Sequence, residues 1–190
     1  MNGRVIVFNG GSSSGKTTLS RSVQSALGGL WLVTGVDQFL EMLPAHTFSD
    51  PDGFTIVDGV VQSGPSVKAS FAGFQHSVAA FAHHGCDVIV DEVMLDGAAD
   101  QHRWQQALAG LDVLWVGVRC APDLAAAREQ ARGDRDPGMA RVQAESVHRG
   151  VEYDIEVDTG ELDAESAATQ VAARIRQLLT PPARSDRYHG

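Results

Sequence analysis

Phe8-Asn9-Gly10-Gly11-Ser12-Ser13-Ser14-Gly15-Lys16-Thr17-Thr18 combines the residue types needed to hold a chain of phosphates. Gly10 and Gly15 followed by Lys16-Thr17 complete the spacing Gly-x-x-x-x-Gly-Lys-Thr of a phosphate-binding loop. Glycines let the backbone wrap closely enough for its N–H groups to face phosphate oxygens. The positive end of a following helix adds to that field. Lys16 has the reach for the β- and γ-phosphates, and Thr17 can ligate Mg²⁺. The expected ligands are therefore a nucleoside triphosphate, ATP or GTP, and Mg²⁺, cradled by Gly10, Gly11, Ser12, Ser13, Ser14, Gly15, Lys16, Thr17 and Thr18.

Three further groups could act on a phosphate held there. Asp37 ends the apolar run Trp31–Val36, and ligands in open α/β sheets bind beyond the carboxyl ends of the strands. Its carboxylate could take a proton from an attacking hydroxyl. It could also cap a helix at Gln38–Leu43. Asp91 and Glu92 end the run from Asp87, as a Walker B acid does, and Asp91 is the candidate for Mg²⁺, directly or through water. Adjacent strand side chains face opposite sides, so the sequence does not say which acid enters the site. Arg128 and Arg132 lie four apart on one helical face, with Arg135 on a short loop after Gly133. Their planar charged groups suit a lid closing on ATP and stabilising a transferring phosphoryl group. The histidines have no metal-ligand spacing.

The elements needed to position these groups alternate. Strands are expected at Val5–Phe8, Trp31–Val36, Asp87–Asp91, Val113–Val118 and Tyr153–Val157. Helices are expected at Thr17–Leu27, Ser66–His84, Ala98–Leu108, Pro122–Arg132 and Ala164–Leu179, the last capped near Asp163. Strand–helix alternation with near-continuous apolar strands implies a three-layer α/β sandwich around a five-stranded parallel sheet. Residues 1–180 form one domain. Residues 44–65 break the pattern and read as an acceptor-side insertion, with a hairpin around Asp58-Gly59. Residues 181–190 read as a flexible tail.

The totals narrow the class. A 190-residue chain of 43% hydrophobic and 21% charged residues is an ordinary globular composition. A net charge of −9 argues against a nucleic-acid or anionic-membrane partner. Lys16 is one of only two lysines. Cys86 and Cys120 read as buried reduced thiols. No signal-peptide pattern or membrane-length apolar run is present, so a cytoplasmic location is expected. The oligomeric state is left open, a homo-oligomer included.

Longer runs carry a family resemblance. Asn9-Gly10-Gly11-Ser12-Ser13, Gly35-Val36-Asp37, Asp112–Cys120, Ala131-Arg132-Gly133-Asp134-Arg135 and Val147–Thr159 resemble chloramphenicol phosphotransferase over nearly the whole chain. The resemblance implies a P-loop kinase fold and transfer of the ATP γ-phosphoryl group to a primary hydroxyl of chloramphenicol, giving antibiotic resistance. It implies Asp37 as general base, Gly10 to Thr17 as the ATP loop, and Arg132 and Arg135 as lid arginines. Residues 41–67 match poorly apart from Gly64-Pro65, and Glu92 stands where a second Asp is expected. Another hydroxylated antibiotic, of hygromycin A type, therefore fits the same residues. A shikimate- or nucleotide-type kinase would need more basic residues near the insertion. An NTP-dependent switch would bind nucleotide without acceptor-stimulated turnover.

Overall fold

The computed structural model describes residues 1–50, 52–57, 60–132 and 138–179. Asp58-Gly59, Arg135, the tail from 181 and the side chain of Arg132 lie outside the described residues. Five parallel strands form the main sheet: β1 (Val5–Asn9), β2 (Trp31–Gly35), β5 (Asp87–Glu92), β6 (Val113–Arg119) and β7 (Ile155–Asp158). Their spatial order is β2-β5-β1-β6-β7. Among the described residues seven α-helices accompany them: α1 (Lys16–Leu27), α2 (Val36–Glu41), α3 (Pro65–His83), α4 (Ala98–Ala107), α5 (Pro122–Arg132), α6 (Met139–Ser146) and α7 (Ala164–Leu179). The insertion folds as an antiparallel pair, β3 (Phe54–Val57) and β4 (Val60–Ser63).

Strand alternation divides the core into two layers. Ile6, Phe8, Ile89, Val116 and Val118 meet Leu19 and Val23 of α1 and Ala168, Val171 and Ile175 of α7. From the opposite face, Val5, Val7, Val88 and Val90 meet Phe74 and Val78 of α3 and Trp104 of α4. Both sheet faces are covered, which explains why β1 is buried at every residue. Asp163 caps α7 as expected, its Oδ1 accepting from Ser166 N at 2.9 Å. Both cysteines are free thiols. Among the described residues no helix is long and apolar enough to cross a membrane.

One strand start and one helix differ from the sequence reading for a visible reason. The last strand starts at Ile155 rather than Tyr153. The Asp154 carboxylate accepts from Trp115 N at 2.8 Å, where a strand would have offered its backbone, and the Tyr153 hydroxyl meets Asn9 instead. Helix α6 was not expected. Its start is fixed from a distance by the buried Glu129 of α5, whose carboxylate oxygens accept from Gly138 N at 2.7 Å and Ala140 N at 2.8 Å. A helix start normally needs such acceptors, and a short polar segment capped from another helix carries no local signal.

Candidate active site

The loop between β1 and α1 is built for an anion. Gly15 takes the left-handed conformation, and no side chain caps the start of α1. Its first N–H groups therefore have no side-chain acceptor. The Ser13 and Ser14 hydroxyls are buried with no partner among the described residues, which fits a group rich in acceptor oxygens. Lys16 is buried and its Nζ donates to Asp91 Oδ1 at the end of β5.

One cavity joins these parts. It is lined by Gly11 to Thr18, by Asp37, and by Asp91. Asp37 and Lys16 thus face a common space, as the position of two strand ends beside one crevice requires. Asp37 lies in the first turn of α2 rather than ending the strand, and the helix starts after Gly35. What brings the start of α2 close is Gly35. A methyl group there would lie 2.1 Å from the Asp91 carbonyl oxygen, so only glycine lets the end of β2 pack against β5.

Asp91 lines the cavity; Glu92 does not. Glu92 turns into the opposite layer, accepting from Val93 N at 2.7 Å and from Trp104 Nε1 at 3.0 Å. Burial pushes its carboxyl up to about 7, with Asp100 adding to the rise and Val93 N–H, Lys16 and Trp104 opposing it. The folded chain therefore keeps a proton that the unfolded chain releases between about pH 4.5 and 7, and stability falls as pH rises through that window. The loss amounts to about 3 kcal/mol. His148 runs the other way, since burial pushes its imidazole down to about 4. Glu92→Gln isolates the carboxyl. Urea melts should show the variant gaining on the parent by about 3 kcal/mol between pH 4.5 and 7.5. A difference that is flat with pH would assign the titration elsewhere.

Arg128 points to the protein. Its Nη2 donates to Thr159 O at 2.9 Å and its Nη1 to Thr159 Oγ1 at 3.2 Å, with Ser14 O at 3.4 Å. Thr159 Oγ1 donates in turn to Ser14 O at 2.6 Å. These bonds brace the phosphate loop from the β7 side. Arg128 and Thr159 open onto a second cavity with Ser13, Gly15, Thr18, Leu162 and Ala164. The other two lid arginines are not described in their side chains, as noted above.

Asn9 does more than precede the glycines. It is fully buried, and its Nδ2 donates to Val147 O at 2.8 Å and to the Tyr153 hydroxyl at 2.6 Å. Its Oδ1 accepts from Met94 N at 2.9 Å. One side chain thus ties the loop's origin to the segments after β5 and α6. The Tyr153 hydroxyl lies 2.6 Å from His148 Nδ1. Burial keeps the tyrosine protonated, pushed up to about 12.

Among the described residues no cluster of three or more His, Cys, Asp or Glu could hold a metal on its own. A hydroxyl from Thr17 and one carboxylate from Asp91 instead match Mg²⁺, which takes few protein ligands and shares substrate phosphates.

A parallel sheet with the glycine loop at its carboxyl edge is a P-loop kinase-like α/β fold. The fold bears this out against solved structures. APS kinase CysC of Mycobacterium tuberculosis, in complex with AMPPNP and APS, aligns with a TM-score of 0.66 at 16% identity, covering 92% of this chain and 98% of that one. The tunicamycin resistance protein of Deinococcus radiodurans aligns at 0.64 and 17% identity, covering 95% and 99%. Residues 3–176 match the family described as chloramphenicol phosphotransferase-like protein, and the chain belongs to that family. A Mycobacterium tuberculosis relative named "Putative O-phosphotransferase" is 33% identical over 172 residues, covering 83% of this chain and 75% of its own length.

Proposed function

We propose that this protein is an ATP-dependent antibiotic O-phosphotransferase. It moves the γ-phosphoryl group to a hydroxyl of chloramphenicol or a related hydroxylated antibiotic, such as one of hygromycin A type, and so confers resistance in the cytoplasm. The observation carrying this reading is that Asp37 shares a cavity with the phosphate loop. The rest of that wall is mostly apolar, with Leu40, Phe54, Ile56, Val61, Leu95 and Met139, and its other polar residues are the neutral Gln38 and Gln143. Among the described residues Lys16 is its one cation. An anionic acceptor of shikimate or nucleotide type would meet no second positive group there.

The residues divide the work. Gly10 to Thr18 hold the phosphates, and Lys16 exchanges Asp91 for the β- and γ-oxygens. Thr17 and Asp91 would hold Mg²⁺, which when bound neutralises charge on those oxygens. The apolar wall orients the acceptor with its hydroxyl between Asp37 and the γ-phosphorus. Asp37 takes the hydroxyl proton while the new O–P bond forms. The bond from the γ-phosphorus to the bridging oxygen breaks, and its electron pair leaves with ADP. Arg132 and Arg135 close over the developing charge, and Arg128 keeps the loop in shape from the β7 side.

The test is ADP release from Mg·ATP in the presence of chloramphenicol, hygromycin A, shikimate or gluconate, with mass spectrometry of the product. Stimulation by an antibiotic with a phosphorylated product supports the proposal. Stimulation by the acids alone would replace it with a metabolic kinase. Nucleotide binding with no stimulated release would favour the switch reading.

A further inference from the structure

Helix α6 places one polar side chain on the cavity, and that side chain is held in a fixed orientation. Gln143 is 4% exposed and lines the cavity beside Met139, Gly11 and Ser12. Its Oε1 accepts from Ser12 N at 2.9 Å. That bond decides which end of the carboxamide is oxygen, because a backbone N–H can face only an acceptor. Packing fixes the stem as well: a methyl group on Gly11 would lie 3.0 Å from Gln143 Cβ. The Nε2 group therefore has a set direction and two hydrogens to donate. No acceptor for it lies within hydrogen-bonding distance among the described residues, yet it is not sealed off as a buried orphan.

The surroundings say what it would bind. Ser12 belongs to the first half of the loop, and its N–H is already taken by Gln143 Oε1. Across the same space stand Asp37 and the apolar wall. A neutral amide donor matches a neutral oxygen, whereas the phosphates already have Lys16 and the loop's N–H groups.

We infer that Gln143 is a specificity-determining residue: its Nε2 donates to a hydroxyl, ether or carbonyl oxygen of the acceptor beside the reacting hydroxyl. The inference rests on the acceptor-transfer reading above. It also gives α6 a purpose, since one side chain then touches the nucleotide loop with its oxygen and the acceptor with its nitrogen.

Two variants separate these contacts. Gln143→Glu keeps an oxygen for Ser12 N–H but loses the donor; Gln143→Met loses both. Affinity for Mg·AMP-PNP by calorimetry and the KM for acceptor in the ADP-release assay are measured with chloramphenicol and hygromycin A. Loss of one hydrogen bond to a neutral group predicts a rise in acceptor KM of roughly tenfold in both variants. Nucleotide affinity in Gln143→Glu should fall through repulsion between the added carboxylate and the phosphates, a loss that added salt reduces. A parental acceptor KM in Gln143→Glu overturns the inference and leaves Gln143 as a support for the loop. So does a loss confined to nucleotide affinity. Should the unaltered protein show no stimulation by either compound, the transfer reading itself falls, and this inference with it. AMP-PNP binding doubles as the check that each variant is folded.

Discussion

Asp37→Asn is expected to lower phosphoryl transfer by roughly 10²–10⁴-fold, the usual size of losing a general base. The amide keeps the side chain's shape but cannot take up the acceptor's proton. Asp37 lines the cavity without belonging to the phosphate loop, so Mg·AMP-PNP should bind as it does to the parent. The measurements are single-turnover ADP formation at saturating acceptor and nucleotide titration on the same preparation. Turnover at the parental rate would remove Asp37 from the chemistry. An equal loss of nucleotide binding would instead make it a structural support of the site.

Lys16→Met should act on two quantities at once. Loss of a charge aimed at the transferring phosphoryl group predicts a fall in turnover of roughly 10²–10³. The second effect comes from Asp91. Its carboxylate is nearly buried against the Lys16 ammonium, and removing the partner leaves a charge with no compensation. Breaking a buried pair in this way costs about 3–5 kcal/mol of folding stability. Adding Asp91→Asn removes the stranded charge, so the double variant should recover most of the stability seen in urea melts. It should recover none of the turnover. If the single variant is as stable as the parent, the pair contributes nothing in the empty enzyme. Rescue of turnover by the second substitution would mean that Lys16 serves only to neutralise Asp91.

Much of this arrangement was legible from residue order. The five strands of the main sheet and the phosphate loop followed from apolar runs and glycine spacing, because both are local patterns. Residues that act across the fold were not legible. The choice between Asp91 and Glu92 depends on which side of β5 each faces, and only the register with β1 sets that. Gln143 sits on a short helix whose start is held by Glu129 on a different helix, so neither its element nor its partner has a signature nearby. Arg128 looked like a lid residue by its spacing from Arg132. Besides Cys120, its described contacts go to Thr159 and Ser14, far from it in sequence. The Asn9 clamp is a similar case: its three partners are all more than eighty positions away.

Ser13, Gly15 and Thr18 border both cavities, one on each flank of the glycine loop. The loop is therefore a party wall between two separately lined spaces. Apart from that wall the two linings have no residue in common. Substitutions at Phe54, Ile56 or Val61 can therefore reshape one space without touching a residue of the other.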